Sequence, residues 1–155
     1  MPQPPTKLLQ TLLRAGRFAA REPRKSLVVV RMACWVSALS LLVRFLPLSR
    51  ALGLLTPRRR PAPPADPEAV RRELARLLDL LLAADFWIFT PTCWKRAPVL
   101  HRFLALRGIE TRVVFGVRRG SGGGALDGHA WLEAGGQPIL EPTAPDYKVT
   151  FSHPS

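Results

Sequence analysis

Three residues near the C-terminal end have types and positions suited to acyl transfer through a covalent intermediate. Cys93 opens a predicted helix, whereas His129 and Glu141 lie on the two arms of a predicted hairpin. A thiol, an imidazole and a carboxylate can serve as the nucleophile, the base and the group that orients the base. The sequence therefore predicts a catalytic triad of these three residues.

The surroundings of Cys93 favour the thiolate, which is the reactive form of cysteine. A helix N-terminus offers unpaired N–H groups and the positive end of the helix dipole. Lys95 and Arg96 add positive charge, and Thr92 is placed to cap the first turn. Pro98 implies either a kinked helix or a regular helix that starts nearer Lys95, with Cys93 at the tip in both cases. The alternative role for Cys93 is a buried structural thiol.

His129 is the strongest of the three histidines as a candidate base. Strand alternation places His129, Trp131 and Glu133 on one face, where Trp131 can shield the imidazole from water. The alternative is a polar surface residue, which is the usual role of a lone histidine in a strand. His101 falls within a predicted helix and His153 in a predicted frayed tail, so both are weaker candidates.

The role of Glu141 depends on the hairpin register. A two-residue turn at Gly135-Gly136 pairs Ala130 with Glu141 and puts His129 on the opposite face. A three-residue loop, with Gly136 in the left-handed region, pairs His129 directly with Glu141, and we predict this loop. A solvated charge at a strand end is the alternative for Glu141. The other candidates for the orienting acid are Asp127 and Asp146.

Length and composition favour one globular domain inside a cell. The chain has 155 residues, of which 47% are hydrophobic, and this excludes a disordered polymer. Cys34 and Cys93 are too few for a disulfide framework, so a reducing, cytoplasmic location is expected.

The net charge of +12 is concentrated in the N-terminal part. Residues 1–65 hold 12 Lys and Arg and a single acid, Glu22, whereas residues 66–155 hold 11 Lys and Arg and 10 acids. This part could contact an acidic partner, an anionic membrane or a nucleic acid, or it could be a solvated face. Residues 58–60 are all arginine but lack an accompanying stacking pattern, so we expect no nucleic acid.

The most apolar stretch, residues 32–43, is too short to span a bilayer. It is bounded by Arg31 and Arg44, and a spanning helix needs ~20 apolar residues. We therefore expect a buried helix, apolar nearly all round, or a peripheral contact of the basic segment with an anionic membrane.

The predicted elements divide the chain into a basic helical segment (1–56), a Pro/Arg-rich linker (57–65) and a core (66–155). Asp66-Pro67-Glu68 marks a strong helix start, and Gly108 is a typical helix end. No phosphate-binding loop or zinc-ligand spacing is present. The predicted helices cover residues 7–20, 25–45, 48–55, 67–83 and 93–107; the predicted strands cover 111–117, 129–133, 137–141 and 148–151, with a glycine-rich loop at 118–128.

Several of these stretches resemble the B2 proteins of lasso peptide biosynthesis, which have a transglutaminase-like core. The similar stretches are Leu-Arg-Gly-Ile at 106–109, Val-Val-Phe-Gly-Val at 113–117, Gly-His-Ala-Trp-Leu-Glu at 128–133 and Arg-Phe-Leu-Pro-Leu at 44–48. The resemblance implies an α+β fold, with a transglutaminase-like (papain-like) core and a helical N-terminal segment.

The resemblance also implies an activity. Such proteins are cysteine peptidases that remove the leader from a ribosomally made precursor, so that a separate lasso cyclase can close the ring. A small B1 protein presents the leader peptide, and no metal or organic cofactor is required. By position, Cys93 matches the nucleophile, His129 the base and Glu141 the acid, although that acid is usually Asp. Two alternatives remain: a transglutaminase-like acyltransferase and a non-catalytic adaptor that holds a peptide.

Overall fold

The computed structural model describes residues 22–84, 89, 92–120, 126–141 and 144–154. The predicted helix at 7–20, aromatic residues 86–88 and most of the glycine run at 120–124 lie outside the described residues. Within them, the chain forms four helices and a four-stranded antiparallel sheet, so the fold is α+β as predicted. The helices are α1 (Pro23–Phe45), α2 (Leu48–Leu55), α3 (Pro67–Leu82) and α4 (Cys93–Ala105); the strands are β1 (Arg112–Arg119), β2 (Leu126–Ala134), β3 (Gln137–Ile139) and β4 (Lys148–His153).

Helix α1 is buried on one face only. It ends at Phe45 because Leu46 precedes Pro47 and takes an extended conformation. Met32, Val36 and Leu39 are fully buried, whereas the opposite face is exposed. The predicted burial of this helix is therefore confirmed for one face only, because the described elements that contact α1 are α2, α3 and α4, and they leave its outer side uncovered.

Helix α3 begins as its sequence predicts. The Asp66 carboxylate accepts a hydrogen bond of 2.9 Å from the Ala69 N–H, and Pro67 is the first helical residue. The buried side of this helix consists of leucines at helical spacing and one alanine: Leu74, Ala75, Leu77, Leu78 and Leu82. This face packs against α4 and α1 and supports the start of α4.

The segment between α2 and α3 contains no helix or strand and is mostly exposed. It passes close to Gly108, where a Cβ atom would lie 2.4 Å from the Pro61 carbonyl oxygen. Leu55, which precedes the segment, and Leu78 and Leu100, which follow it, belong to the same hydrophobic cluster. The division into parts 1–56, 57–65 and 66–155 stays a prediction.

The sheet has the order β3-β2-β1-β4. The predicted loop at 118–128 is shorter in the structure, because Arg118 pairs with Asp127 across β1 and β2 and extends both strands. Strand β4 includes the predicted strand at 148–151, and it pairs with β1 at the edge of the sheet. The prediction that His153 is frayed is wrong: this residue ends β4, and its Nε2 lies 2.9 Å from Thr56 Oγ1.

The turn between β2 and β3 has two residues, not the predicted three. Ala134 pairs with Gln137, and Gly135 and Gly136 have φ values of 59° and 77°. Two successive residues with positive φ match the right-handed twist of the strands, and glycine adopts this conformation without a steric penalty. This register assigns Glu141 to the face opposite His129, so another feature must bring the two together.

Candidate active site

Cys93 is the first residue of α4 and is half-buried. The Thr92 carbonyl accepts hydrogen bonds from the Lys95 and Arg96 N–H groups at 3.2 and 3.1 Å. Thr92 is thus the N-cap through its backbone; the predicted side-chain cap to the described turn is not formed. The helix begins at Cys93 rather than near Lys95, with Pro98 buried inside it, so the thiol lies at the positive end of the helix dipole.

The imidazole of His129 contacts the carboxylate of Glu141. Nε2 of His129 lies 3.2 Å from Oε2 of Glu141, and the two side chains are 26% and 14% exposed. Because a carboxylate accepts, Nε2 carries the proton in the neutral ring. The lone pair of Nδ1 is then available to take a proton from a thiol.

Leu140 brings Glu141 to the imidazole. Strand β3 ends at Ile139, and Leu140 has a φ of 60°, a left-handed conformation that leucine rarely adopts. This residue breaks the alternation that would direct Glu141 away from His129. The predicted contact is therefore present, although the predicted register behind it is wrong.

The thiol, the imidazole and the carboxylate line one open cleft. Its volume is about 420 Å³, within the range of small-ligand pockets. The cleft lies where the C-terminal end of α3, the start of α4 and strand β2 meet. Its lining residues are Asp79, Leu82, Thr92, Cys93, Arg96, His129, Ala130, Leu140 and Glu141.

The two other candidates for the orienting acid have different contacts. Oδ2 of Asp127 accepts hydrogen bonds of 2.9 Å from both Arg118 and the Tyr147 hydroxyl. These two bonds lower the pKa of Asp127. Asp146 is exposed. Of the three acids, Glu141 is the one with a hydrogen bond to His129.

Aromatic rings flank the imidazole. Trp131 stacks on His129 with ring centroids 5.9 Å apart, as strand alternation predicts. Tyr147 lies 5.3 Å away and also contacts Trp131. Gly116 makes room for both side chains, because a Cβ there would lie 2.7 Å from the Tyr147 Cβ and 3.0 Å from the Trp131 ring. Sequence reasoning missed Tyr147; the signal was a glycine inside a strand, which often marks a close approach.

An ion pair inside the cleft was also missed. Arg96 donates to both carboxylate oxygens of Asp79, at 2.6 and 3.1 Å. This pairing, together with the charge of Glu141, raises the pKa of Arg96. Asp79 thus holds the guanidinium beside the cleft, so that it adds positive charge near the thiol without capturing the carboxylate that His129 uses.

One family of known proteins matches most of the chain. The family description that matches is the transglutaminase-like superfamily, over residues 33–152. No curated protein and no solved structure is significantly similar to the chain. The matched range includes the C-terminal half of α1, the cleft and all of the sheet except the last residue of β4. On this match over more than half of its length, the chain belongs to the transglutaminase-like superfamily.

Proposed function

We propose that this protein is a cysteine peptidase that removes the leader from a ribosomally synthesised lasso-peptide precursor. The observation that carries the proposal is the hydrogen bond between His129 and Glu141 in a cleft that also contains Cys93 at a helix start. Thiol chemistry on acyl groups is what the transglutaminase-like superfamily supports in general. The leader as substrate rests on the resemblance of the sequence to lasso B2 proteins.

The first half of the reaction breaks the peptide bond. His129 takes the proton of Cys93 on Nδ1, and the thiolate attacks the carbonyl carbon of the scissile bond. The C–N bond then breaks as the imidazolium gives its proton to the leaving amine, which leaves a thioester on the sulfur. Glu141 keeps the proton on Nε2 throughout and stabilises the imidazolium.

The second half returns the thiol. His129 takes a proton from water, the resulting hydroxide attacks the thioester, and the sulfur leaves with the proton that the ring returns. The oxyanion of each tetrahedral intermediate needs donors. Cys93 is the first residue of α4, so no carbonyl of the helix can accept from its N–H. This N–H is therefore one such donor.

The cellular setting follows from the same resemblance. The substrate is the leader peptide of the precursor, presented by a B1 leader-recognition protein, and the product passes to a lasso cyclase. The resemblance also implies that the reaction needs no metal or organic cofactor. The cytoplasmic location is proposed on a different ground, because two cysteines are too few for a disulfide framework.

Transfer of the acyl group to an amine is the rival reaction, because the superfamily contains both peptidases and transferases. The two reactions share the thioester and differ in the acceptor. Hydrolysis yields a free carboxylate at the new C-terminus, whereas transfer yields an amide. The mass of the product formed in the presence of a competing amine separates them.

The test uses the purified protein with a synthetic leader–core precursor and its leader-recognition protein. We expect cleavage at the junction, a free carboxylate in the product and complete loss of cleavage in Cys93→Ala. The matched control is Cys34→Ala, since Cys34 is exposed on α1 and should be dispensable. Cleavage by Cys93→Ala would contradict the proposal, and an amide product would assign the protein to the transferases. A folded, inactive wild-type protein that binds the precursor would instead indicate an adaptor.

A further inference from the structure

The outer face of α1 is apolar and exposed. Leu27, Val30, Leu41 and Phe45 are 61%, 58%, 61% and 77% exposed. At 100° per residue they fall along one line of the helix, which Cys34 shares. We call these five residues the outer stripe. It runs for about 27 Å along the helix, given a rise of about 1.5 Å per residue.

This stripe lies directly opposite the buried face of the same helix. Met32, Val36 and Leu39 pack in the core, on the far side of the helix axis. A surface helix of a water-soluble protein ordinarily presents polar residues on the side away from the core. An apolar line of this length instead indicates a face that meets another apolar phase or surface.

The charges around the outer stripe are positive. Arg24 and Arg31 project on one side of the stripe and Arg44 on the other, and all three are exposed. Arg50 on α2 is exposed as well. The single acid among residues 22–65 is Glu22, which is paired with Lys25. The surface thus combines apolar side chains with unopposed arginines.

The length of α1 corrects the expectation drawn from residues 32–43. Arg31 lies inside the helix rather than at its end, and α1 has 23 residues. Of the described helices, it alone is long and apolar enough to cross a membrane by length and composition. Crossing would, however, pull Met32, Val36 and Leu39 out of the core. A helix that lies in the plane of the interface keeps this packing and still covers the outer stripe.

We propose that the outer stripe and its flanking arginines dock this protein on an anionic lipid surface, with α1 parallel to the membrane plane. The apolar side chains would enter the boundary between headgroups and acyl chains, and the arginines would contact lipid phosphates. This docking is independent of the peptidase activity.

The protein itself could cover the outer stripe in two ways, with a second copy of the chain or with residues 1–21. The charge of each argues against it. A second copy packed on the same surface would bring like arginines together, which is unfavourable. Residues 1–21 carry Lys7, Arg14, Arg17 and Arg21 and no acid, so they add positive charge instead of neutralising it. An anionic lipid surface complements both the apolar and the cationic part of the surface.

The first test measures binding of the full chain to vesicles of phosphatidylcholine with and without phosphatidylglycerol. We expect binding to the anionic vesicles, weaker binding at high salt and little binding to neutral ones. The double variant Leu27→Gln/Leu41→Gln should lose binding. The matched control is Leu80→Gln/Leu126→Gln, which removes two leucines that are 62% and 72% exposed elsewhere and should bind as the wild type does.

The second test removes charge. Arg31→Gln should weaken binding to the anionic vesicles roughly fivefold, the effect of one arginine near a charged bilayer. Arg76→Gln, an exposed arginine on α3, should leave binding unchanged. Circular dichroism of each variant checks that α1 still folds.

Three results would overturn the proposal. One is a lack of binding by wild-type protein to anionic vesicles. Another is equal loss of binding in the outer-stripe and control variants. The third is a dimer in solution that becomes a monomer in Leu27→Gln/Leu41→Gln, which would assign the stripe to self-association.

Discussion

At the scale of single residues, the carboxylate of Glu141 has two neighbours that can bind it, the imidazole of His129 and the guanidinium of Arg96. Nε2 of His129 lies 3.2 Å from Oε2 of Glu141. Arg96 is bound to Asp79, and the negative charge of Glu141 helps to raise the pKa of this arginine. A guanidinium released from Asp79 would form a stronger pair with a carboxylate than a neutral imidazole does. The role we assign to Asp79 is therefore to keep Arg96 away from the acid that orients His129.

This role predicts the effect of Asp79→Asn. The substitution frees Arg96, which then draws Glu141 away from the imidazole, and peptide cleavage should fall on the order of 10- to 100-fold. Adding Arg96→Gln to that variant removes the competitor and should recover part of the activity. Initial rates of precursor cleavage measure both effects. Full activity in Asp79→Asn, or a double variant no better than the single one, would contradict the assignment.

The sequence was enough to predict which residues form the site, but only some of the contacts between them. Cys93 and His129 stood out because of their residue types and their positions at a helix start and in a strand. The contact of Glu141 was predicted through the wrong register, since nothing in the sequence indicates that Leu140 takes a positive φ. Tyr147 was missed because it comes from a part of the chain in no predicted element.

At the scale of secondary-structure elements, the end of α4 depends on a close backbone contact. Gly108 has a φ of 73° and lies against the segment between α2 and α3, at Pro61 and Ala62. The Ile109 N–H bonds back to the Leu104 carbonyl and ends the helix. A side chain at position 108 would strain the backbone and push against Pro61.

We therefore expect Gly108→Ala to lower the free energy of unfolding by about 1–3 kcal/mol. Gly53→Ala is the matched control, because Gly53 lies inside α2 with open space around its Cα. The control should raise the free energy of unfolding by about 0.5–1 kcal/mol through helix propensity. Urea unfolding of the two variants measures the decrease and the increase in the free energy of unfolding. A Gly108→Ala protein as stable as wild type would contradict this prediction, because it would show that the backbone at Pro61 moves aside at no cost in free energy.

Element positions were predictable where local signals are strong. Asp66-Pro67 marks the start of α3, and Gly108 follows the end of α4 within a few residues, since caps and glycine act through the adjacent backbone. The turn at Gly135-Gly136 was predicted one residue too long, because both lengths suit that pair of glycines. The exposed face of α1 could not be predicted, as it depends on which elements pack beside it.

At the scale of the whole molecule, a chain of polar side chains connects distant parts of the fold. Thr56 directly follows α2. Its hydroxyl oxygen lies 2.9 Å from Nε2 of His153 and 3.4 Å from Nε2 of His101. The other ring nitrogen of His101 lies 2.9 Å from the hydroxyl of Thr111. His101 is buried, and burial together with the charges of His153 and Arg60 lowers its pKa to about 4.

This cluster predicts acid sensitivity. A histidine whose pKa is lower in the folded than in the unfolded protein binds its proton more readily when unfolded, so stability falls as pH drops from about 6.5 towards 4. We expect a free energy of unfolding about 2 kcal/mol smaller at pH 5 than at pH 7 from His101. Burial lowers the pKa of His153 too, with the same sign.

Urea unfolding at the two pH values measures this dependence. His101→Gln should be less stable at pH 7 but should lose most of the difference between pH 7 and pH 5. The control is to repeat the wild-type series in high salt, which screens surface charges but not a buried ring. A wild-type protein equally stable at pH 7 and pH 5 would contradict the account of this cluster.

The overall class was predictable because it depends on patterns that extend along the chain. Helical periodicity in the first half and β-branched strands in the second indicate an α+β fold, and the family match agrees with it. The polar cluster was not predictable, since His101 and His153 are more than 50 residues apart and meet only through tertiary packing. The leader substrate and the partners stay proposals.

If Cys93, His129 and Glu141 act as one unit, the thiol of Cys93 should be more reactive than the second thiol of the chain, that of Cys34. Cys34 is the more exposed of the two thiols and lies away from the cleft. Alkylation by iodoacetamide at neutral pH, followed for each cysteine by mass spectrometry, compares the two directly. We predict that Cys93 reacts faster than Cys34 despite its burial, and that His129→Ala abolishes this advantage while Glu141→Gln reduces it. A Cys93 rate that does not change when His129 is removed would contradict the account.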